Sequence, residues 1–309
     1  MKYVAIAAGI MALLLVMVPG SQAAQEGGGD LLRYVPRETE LVIGIDVEQL
    51  MGNPAFDRIY ERLDTERLDA GIAALEQVTG IHLLHDIRSL MLIGELKDQG
   101  KGALYLEGMW DTDHLINLVT MNPTYERHVT AGPDIHSWMD ESEGKMKYAA
   151  FLEQDVLVIS DWLELVRRVV DTAAESRPSL EGAATPVQPD GSPSDAFVLA
   201  FRPSGNRPDI TENPILGRFD SVAIALDAED DWVTVSATGS VQDARDTSLL
   251  AQVVRGFLAA VELHDARAQQ SPWMVTASAT GTRVEATVEV PMDNVIEAAG
   301  MLRRHAKAE

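Results

Sequence analysis

The chain has 309 residues, 46% of them hydrophobic, and no cysteine. The lack of cysteine excludes disulfides, thiolate metal sites and a lipid-modified cysteine. Acidic residues outnumber basic ones 48 to 25, which gives a formal net charge of −23 at pH 7. Because phosphate backbones and anionic lipids are bound by clustered Lys and Arg, this balance argues against nucleic acid and anionic membranes as partners.

The first residues have the layout of a secretory signal peptide. Lys2 supplies a positive head, Val4–Val18 forms a short apolar run, and the small residues Ser21 and Ala23 suit a signal peptidase. We predict a signal peptide over residues 1–23, cleaved after Ala23, because a spanning helix requires about 20 apolar residues. Retention as an anchor is the alternative. Cleavage would leave the protein periplasmic or extracellular in a bacterium, without membrane insertion.

Changes in composition mark the organisation of the remaining chain. Residues 24–30 read as a flexible leader, and residues 176–194 are rich in Pro, Gly, Ser and Ala without apolar periodicity. We predict that this second segment is a linker between a first half over residues 31–175 and a second half over residues 195–309.

Apolar runs bounded by turn signals predict the strands of both halves. The first is Leu41–Val47, which is rich in β-branched residues. In the second half Thr280-Gly281-Thr282 marks a tight hairpin, because Gly281 can adopt a positive φ. The other predicted strands are Leu90–Leu96, Ala103–Met109, Ile135–Met139, Met146–Leu152, Val156–Ile159, Ala196–Phe201, Ser221–Leu226, Trp232–Thr238, Met274–Ala279 and Arg283–Val290.

Helical periodicity recurs between these strands. The predicted helical segments are residues 56–63, 72–78, 115–119, 163–170, 249–258 and 295–302. Four of them follow an Asp that can cap free N–H groups and complement the helix dipole, namely Asp111, Asp161, Asp246 and Asp293.

The predicted fold class is α+β. Hairpins dominate over long crossovers, which favours mostly antiparallel sheets with helices packed on one face. The order of strand, helical insert, hairpin, acidic cap and helix recurs in both halves, and this recurrence favours two diverged, similar halves.

Two histidine-containing motifs have the residue types of a metal site. His82 and His85 would share one face of a helix and could bind zinc together with Asp86. A helix end is the favoured interpretation, since Gly80 terminates the preceding periodicity. In Asp111-Thr112-Asp113-His114 the carboxylates and the imidazole suit a hard cation or a metallohydrolase, but helix capping explains them more simply.

Two further motifs have simple structural explanations. Asp227, Glu229, Asp230 and Asp231 crowd a hairpin tip where Ca²⁺ could bind, but the calcium-loop spacing is absent and a solvated turn is favoured. Ser142-Glu143-Gly144-Lys145 has the Ser-x-x-Lys spelling of penicillin-recognising enzymes. It lies in a turn and lacks the accompanying motifs, so we interpret it as chance.

Five tryptophans suggest carbohydrate stacking, because indole faces pair with sugar rings. The competing interpretation is that these residues seal core edges at strand ends and caps. They are Trp110, Trp138, Trp162, Trp232 and Trp273.

Three segments of the first half carry a family resemblance. Tyr34–Asp46, Gly144–Phe151 and Asp155–Ser160 resemble a loose group of exported bacterial proteins of unknown function, in which a Val-Pro-x-x-Thr/Ala segment precedes an apolar strand. Here that segment is Val35-Pro36-Arg37-Glu38-Thr39. The resemblance implies a bacterial envelope setting and assigns no functional residue.

These observations favour an exported, non-catalytic binding or protein-interaction module whose partner is an envelope or secreted protein. We predict no catalytic residue, metal ligand or cofactor, and leave open the ligand-binding residues and the oligomeric state. One alternative is a protein that binds a small ligand or glycan in a pocket between the two halves, lined by Trp138 or Trp232. The other is a hydrolase that uses two carboxylates about 5–10 Å apart.

Overall fold

We analysed a computed structural model of the chain. It describes residues 30–52, 66–95, 101–181, 196–201, 219–229, 232–241, 247–248, 251–252 and 274–293. The predicted signal peptide, the leader up to residue 29, the predicted helices over 56–63 and 295–302, most of the one over 249–258, and residues 182–194 of the predicted linker lie outside these ranges. Among the described helices, none has the length and apolar character needed to cross a membrane.

The chain divides into two compact units. Of the described residues, the N-terminal unit contains 30–48, 66–95 and 101–181, and the C-terminal unit contains 49–52 and everything from 196 onward. The described start of the predicted linker is hydrogen-bonded within the N-terminal unit. Arg37 N donates to Pro178 O at 3.0 Å, and Leu180 N donates to Val35 O at 2.9 Å.

The N-terminal unit contains an antiparallel sheet with strand order β1-β2-β3-β7-β6-β5-β4. Its alternating apolar residues form strands because one side chain in two can be buried. The strands are β1 (Leu41–Asp46), β2 (Ile87–Gly94), β3 (Gly102–Gly108), β4 (Glu126–His128), β5 (Ile135–Asp140), β6 (Lys145–Glu153) and β7 (Val156–Ser160).

In the part of the chain that the structure describes, a 3-10 helix, Asp30–Tyr34, precedes this sheet, and four α-helices lie between its strands or after the last one. They are α1 (Val47–Met51), α2 (Glu66–Thr79), α3 (Thr112–Thr120) and α4 (Leu163–Ala173). Helix α4 contacts the 3-10 helix, β3, β6 and β7. It buries Leu165, Val166, Val169 and Val170, which follow the 3.6-residue period of one helix face.

Tyr105 lies at the centre of the N-terminal core and is fully buried. Its hydroxyl donates to Tyr34 O at 3.2 Å, so the phenol satisfies its polar atom while its ring fills the core. Burial raises the pKa of Tyr105 well above the ordinary tyrosine range. The neighbouring Tyr34 hydroxyl donates to Glu153 Oε1 at 2.6 Å, which joins the 3-10 helix to β6.

The C-terminal unit contains an antiparallel sheet of order β11-β12-β10-β9-β8. The hairpin turn between β11 and β12 includes Gly281 at φ +57°, as the sequence predicts. The α+β class with mostly antiparallel sheets is therefore confirmed. The strands are β8 (Ala196–Phe201), β9 (Phe219–Glu229), β10 (Trp232–Val241), β11 (Met274–Thr280) and β12 (Arg283–Pro291).

The predicted acidic caps have different outcomes. Asp111 caps α3, because its side chain accepts from His114 N at 2.9 Å. The prediction for Asp161 is wrong: α4 begins after Trp162 and has no side-chain cap. Asp161 instead pairs with two lysines of β6: its Oδ1 accepts from Lys147 Nζ at 2.7 Å, and its Oδ2 lies 3.3 Å from Lys145 Nζ. Asp246 and the helix predicted after Asp293 lie outside the described residues.

Candidate functional site

Helices α2 and α3 contact one another, and α3 also contacts β5. Helix α3 has no buried residue, although Leu115, Ile116, Leu118 and Val119 give it an apolar face. Along residues 72–78 of α2, only Ile72 is buried. An amphipathic helix normally buries its apolar face, so these two helices present surface that is unusual for a folded unit.

Large apolar side chains are exposed on α2 and at the two ends of α3, while Leu115, Ile116, Leu118 and Val119 within α3 are half-buried. The exposed fractions are 40% for Leu75, 63% for Val78, 65% for Met109 and 73% for Met121. We call residues 72–86 and 109–121 together the α2–α3 surface. Single exposed apolar residues are normal, whereas contiguous exposed apolar surface marks interaction sites.

The charge of the α2–α3 surface has one sign. No Lys or Arg occurs between residues 68 and 87 or between residues 102 and 126. The surface contains four carboxylates, those of Glu76, Asp86, Asp111 and Asp113. With histidine neutral, every formal charge on this surface is therefore negative.

Two of the cations that flank these segments, Arg88 and Arg127, are paired with carboxylates outside the surface. Arg88 Nη2 lies 2.5 Å from Asp155 Oδ2 and 3.3 Å from Glu107 Oε1. Arg127 is paired with Asp134 on the edge hairpin of β4 and β5, and this hydrogen bond holds the pKa of Asp134 below its usual value. Neither guanidinium is available to neutralise the α2–α3 surface.

The loop between α2 and β2 is fixed to the start of α3. Met109 N donates to Asp86 O at 2.7 Å, and His82 N donates to Asp86 Oδ2 at 2.7 Å. A Cβ at Gly108 would lie 2.2 Å from Asp86 O, so only glycine fits at this crossing. The two segments of the surface are thus held in a defined arrangement.

His82 and His85 lie beyond the end of α2, as the favoured interpretation of this motif predicts. Helix α2 ends at Thr79, Gly80 adopts φ +72°, and both histidines lie in the turn that follows. Their ring centroids are 4.3 Å apart with the ring planes tilted by 33°, and the Asp86 carboxylate accepts from the backbone N–H of His82. The described residues contain no group of three or more His, Asp or Glu arranged to hold a metal.

The Asp111–His114 motif is a helix start. The Asp111 carboxylate binds the backbone N–H of His114, as capping requires, and His114 itself is exposed. The favoured interpretation of this motif is confirmed.

The acidic hairpin at β9 differs from the predicted solvated turn. Asp227 lies within β9 opposite Thr234 and is buried, because β9 extends to Glu229. The prediction of a solvated position is wrong for Asp227. Asp230 and Asp231 lie outside the described residues.

Ser142 and Lys145 bind different carboxylates. The Ser142 hydroxyl donates to Asp140 Oδ1 at 2.7 Å, and this hydrogen bond lowers the pKa of Asp140. Lys145 Nζ pairs with Asp161 at 3.3 Å. The residues occupy the turn between β5 and β6, and their hydroxyl and amine do not form a nucleophile and base pair.

The tryptophans occupy separate environments. Lys101 Nζ lies 4.3 Å and Arg168 Cζ lies 5.3 Å from the ring centroid of Trp162. Two cations therefore lie over this indole. Trp110 follows the exposed Met109 in the chain. Its Nε1 is buried and has no hydrogen-bond partner among the described residues. Trp138 and Trp232 are half-buried, and Trp273 lies outside the described residues.

Comparisons with known proteins assign no family. No protein-family model matches the chain, and no curated protein sequence matches it. The solved structure of TP0453 in crystal form III aligns with a TM-score of 0.45 and 9% identity, covering 86% of this chain and 96% of that chain. Crystal form IV of TP0453 gives 0.43 and 9%, covering 88% and 99%. At these scores the likeness carries no argument about this chain.

Sequence reasoning missed the exposed residues of the α2–α3 surface. It predicted both helices from their apolar periodicity and expected that periodicity to face a core. One signal was available in the sequence. Two separate amphipathic segments both lack Lys and Arg, whereas ordinary solvated helices carry charges of both signs.

Proposed function

We propose that the protein is an exported, non-catalytic interaction module that docks a cationic amphipathic segment of a partner protein on the α2–α3 surface. The observation that carries the proposal is the combination of exposed Met109, Met121 and Val78 with a surrounding charge that is wholly negative. Such a surface attracts a segment with apolar residues on one face and Lys or Arg beside them.

The negative charge also selects among partners. Anionic lipid headgroups and nucleic acid would be repelled by Glu76, Asp111 and Asp113. A basic amphipathic helix would bury its apolar face against the methionines, whose flexible side chains adapt to different partners. Its Lys or Arg residues would reach the carboxylates at the rim.

The proposal gives no catalytic role to these carboxylates. Asp86 and Asp111 accept hydrogen bonds from backbone N–H groups and thereby hold the loop and the helix start. The setting that we propose is the bacterial periplasm or exterior. It is supported by the signal-like first 23 residues and the resemblance of Tyr34–Asp46 to exported proteins.

Binding of a designed peptide tests this proposal. A fluorescent Leu/Lys amphipathic peptide is titrated with the purified chain, and the same peptide with Glu in place of Lys is the charge control. We expect saturable binding of the Lys peptide only. Met121→Lys should weaken it at least tenfold, because it removes an apolar contact and adds a like charge. The matched control is Val129→Lys, at a residue that is 79% exposed and outside the surface.

Three results would contradict the proposal. The first is equal binding of both peptides, and the second is an equal effect of the two lysine substitutions. The third is binding of anionic phospholipid vesicles in place of the Lys peptide, which would identify a membrane surface as the partner.

A further inference from the structure

Methionine is the only sulfur-containing residue type in this chain, which has 12 methionines and no cysteine. In proteins that carry reactive cysteines, their thiolates are the sulfur groups that peroxides oxidise first. Without cysteine, exposed methionine thioethers are the sulfur groups that a peroxide reaches first. The exposure of each methionine therefore determines where the sulfur of this protein is oxidised.

The methionines that the structure describes differ widely in exposure. Met91 is 0% exposed and Met292 is 1% exposed, whereas Met274 is 52% exposed. Met109 and Met121, at 65% and 73%, are more exposed than any of these. The remaining described methionines, Met51, Met139 and Met146, are half-buried. The two most exposed of the described methionines thus both belong to the α2–α3 surface.

Met109 and Met121 lie at the two ends of α3. Met109 N donates to Asp86 O at 2.7 Å, and Met121 is the residue that ends α3. Both backbone positions are therefore fixed while the side chains stay accessible. A partner segment that lies along α3 and contacts both ends would meet both thioethers.

We propose that Met109 and Met121 are oxidation sites at which hydrogen peroxide weakens docking on the α2–α3 surface. This inference rests on the function proposed above. The thioether sulfur attacks one oxygen of the peroxide, so that an S–O bond forms while the O–O bond breaks. The proton of the transferred oxygen passes to the leaving hydroxide, which departs as water. The sulfur loses two electrons and becomes a sulfoxide, and the peroxide is reduced.

The sulfoxide changes the polarity of the surface and leaves its formal charge unchanged. It replaces a flexible apolar side chain with a polar one. Contact with the apolar face of a docked segment would strip water from the S–O group, which costs free energy. Methionine sulfoxide reductases convert the sulfoxide back to the thioether. Oxidation would therefore weaken docking reversibly, while the carboxylates continue to attract Lys and Arg.

Mass spectrometry after brief peroxide treatment of the full chain tests where oxidation occurs. We expect Met109, Met121 and Met274 to gain one oxygen atom at least about tenfold faster than Met91 and Met292, because oxidation follows exposure. Oxidation of Met109 and Met121 at the rate of the buried methionines would overturn the inference.

Titration of the Leu/Lys peptide before and after peroxide treatment tests the effect on docking. Conversion of both residues to sulfoxides should weaken binding about 3- to 10-fold, and treatment with the reductases for both sulfoxide epimers should restore it. Unchanged affinity of the doubly oxidised chain would overturn this inference and leave the proposed function standing. Failure of the untreated chain to bind the peptide would instead refute the proposed function.

Two variants assign the effect to the surface. In the double variant Met109→Leu with Met121→Leu, peroxide treatment should leave the affinity at that variant's own untreated value, because leucine has no sulfur. Met274→Leu is the matched control, since it removes an exposed methionine of the C-terminal unit. Peroxide should still weaken peptide binding in this control. Equal losses of affinity in the two variants would place the responsible oxidation elsewhere and overturn the inference.

Discussion

Helices α3 and α4 are similar in sequence outline and opposite in their surroundings. Both follow an acidic residue and both carry an apolar face. Helix α4 buries Leu165, Val166, Val169 and Val170 against the N-terminal sheet, whereas α3 buries no residue at all. The same periodicity therefore produces a core helix in one case and a half-buried apolar face in the other. The burial of α4 assigns it to the core, and the incomplete burial of α3 supports our proposal that its apolar face takes part in binding.

The largest expected effect is a difference in the free energy of unfolding between substitutions in α4 and substitutions in α3. Leu165→Ala in α4 should lower the free energy of unfolding by about 2–5 kcal/mol, because it opens a cavity in a packed core. Leu115→Ala in α3 should change it by less than about 1 kcal/mol, since Leu115 is only half-buried. Urea denaturation of both variants checks this difference. A large loss for Leu115→Ala would show that α3 belongs to the core.

The start of α4 offers the second contrast. The side chain of Lys147 is 6% exposed, and its Nζ lies 2.7 Å from Asp161 and 2.8 Å from Glu143. Asp161→Ala should cost about 1.5–3 kcal/mol, because it removes a hydrogen bond to a buried charge. Glu143→Ala is the matched variant and should have a similar cost. Unfolding curves that show no loss for either variant would contradict the role of this cluster.

The start of α3 should show a smaller effect. Asp111→Ala should destabilise by about 1 kcal/mol, the usual cost of losing an N-cap. Asp111→Asn retains the acceptor oxygen and should restore most of this loss. Thermal unfolding compares the two variants. Equal destabilisation by Ala and Asn would show that the charge of Asp111 matters more than its hydrogen bond to His114.

The smallest expected effect concerns a buried polar group of the sheet. Burial lowers the pKa of His136, whose Nδ1 lies 2.9 Å from the Tyr125 hydroxyl. Below pH 6.5, the ordinary pKa of a histidine, the unfolded chain binds a proton that the folded protein binds less readily, so the free energy of unfolding should fall as pH decreases.

His136→Asn removes this titration and should flatten the decline between pH 6.5 and more acid conditions. Tyr125→Phe keeps the imidazole and should preserve the decline. Urea denaturation across this pH range distinguishes the two variants. An unchanged slope in His136→Asn would assign the pH dependence to other groups.

Much of the fold could be predicted from the sequence, because alternation and helical period determine which side chains can be buried. The hairpin at Gly281 and the cap at Asp111 required only local information. Strand β4 was not predicted, because Glu126, Arg127 and His128 include no apolar residue. This strand forms by pairing with β5.

The parts that could not be predicted depend on tertiary contacts. Asp161 has the position of a cap, but its partner Lys147 comes from β6, a contact that no local pattern reveals. The exposure of Met121 likewise depends on what α3 contacts in space.

Amide hydrogen exchange with and without the Leu/Lys peptide tests the central claim most directly. If the α2–α3 surface is the docking site, the peptide should slow exchange in residues 72–86 and 109–121 and leave α4 unchanged. Protection centred on α4 or on the edge strand β4, with none on α3, would contradict the account.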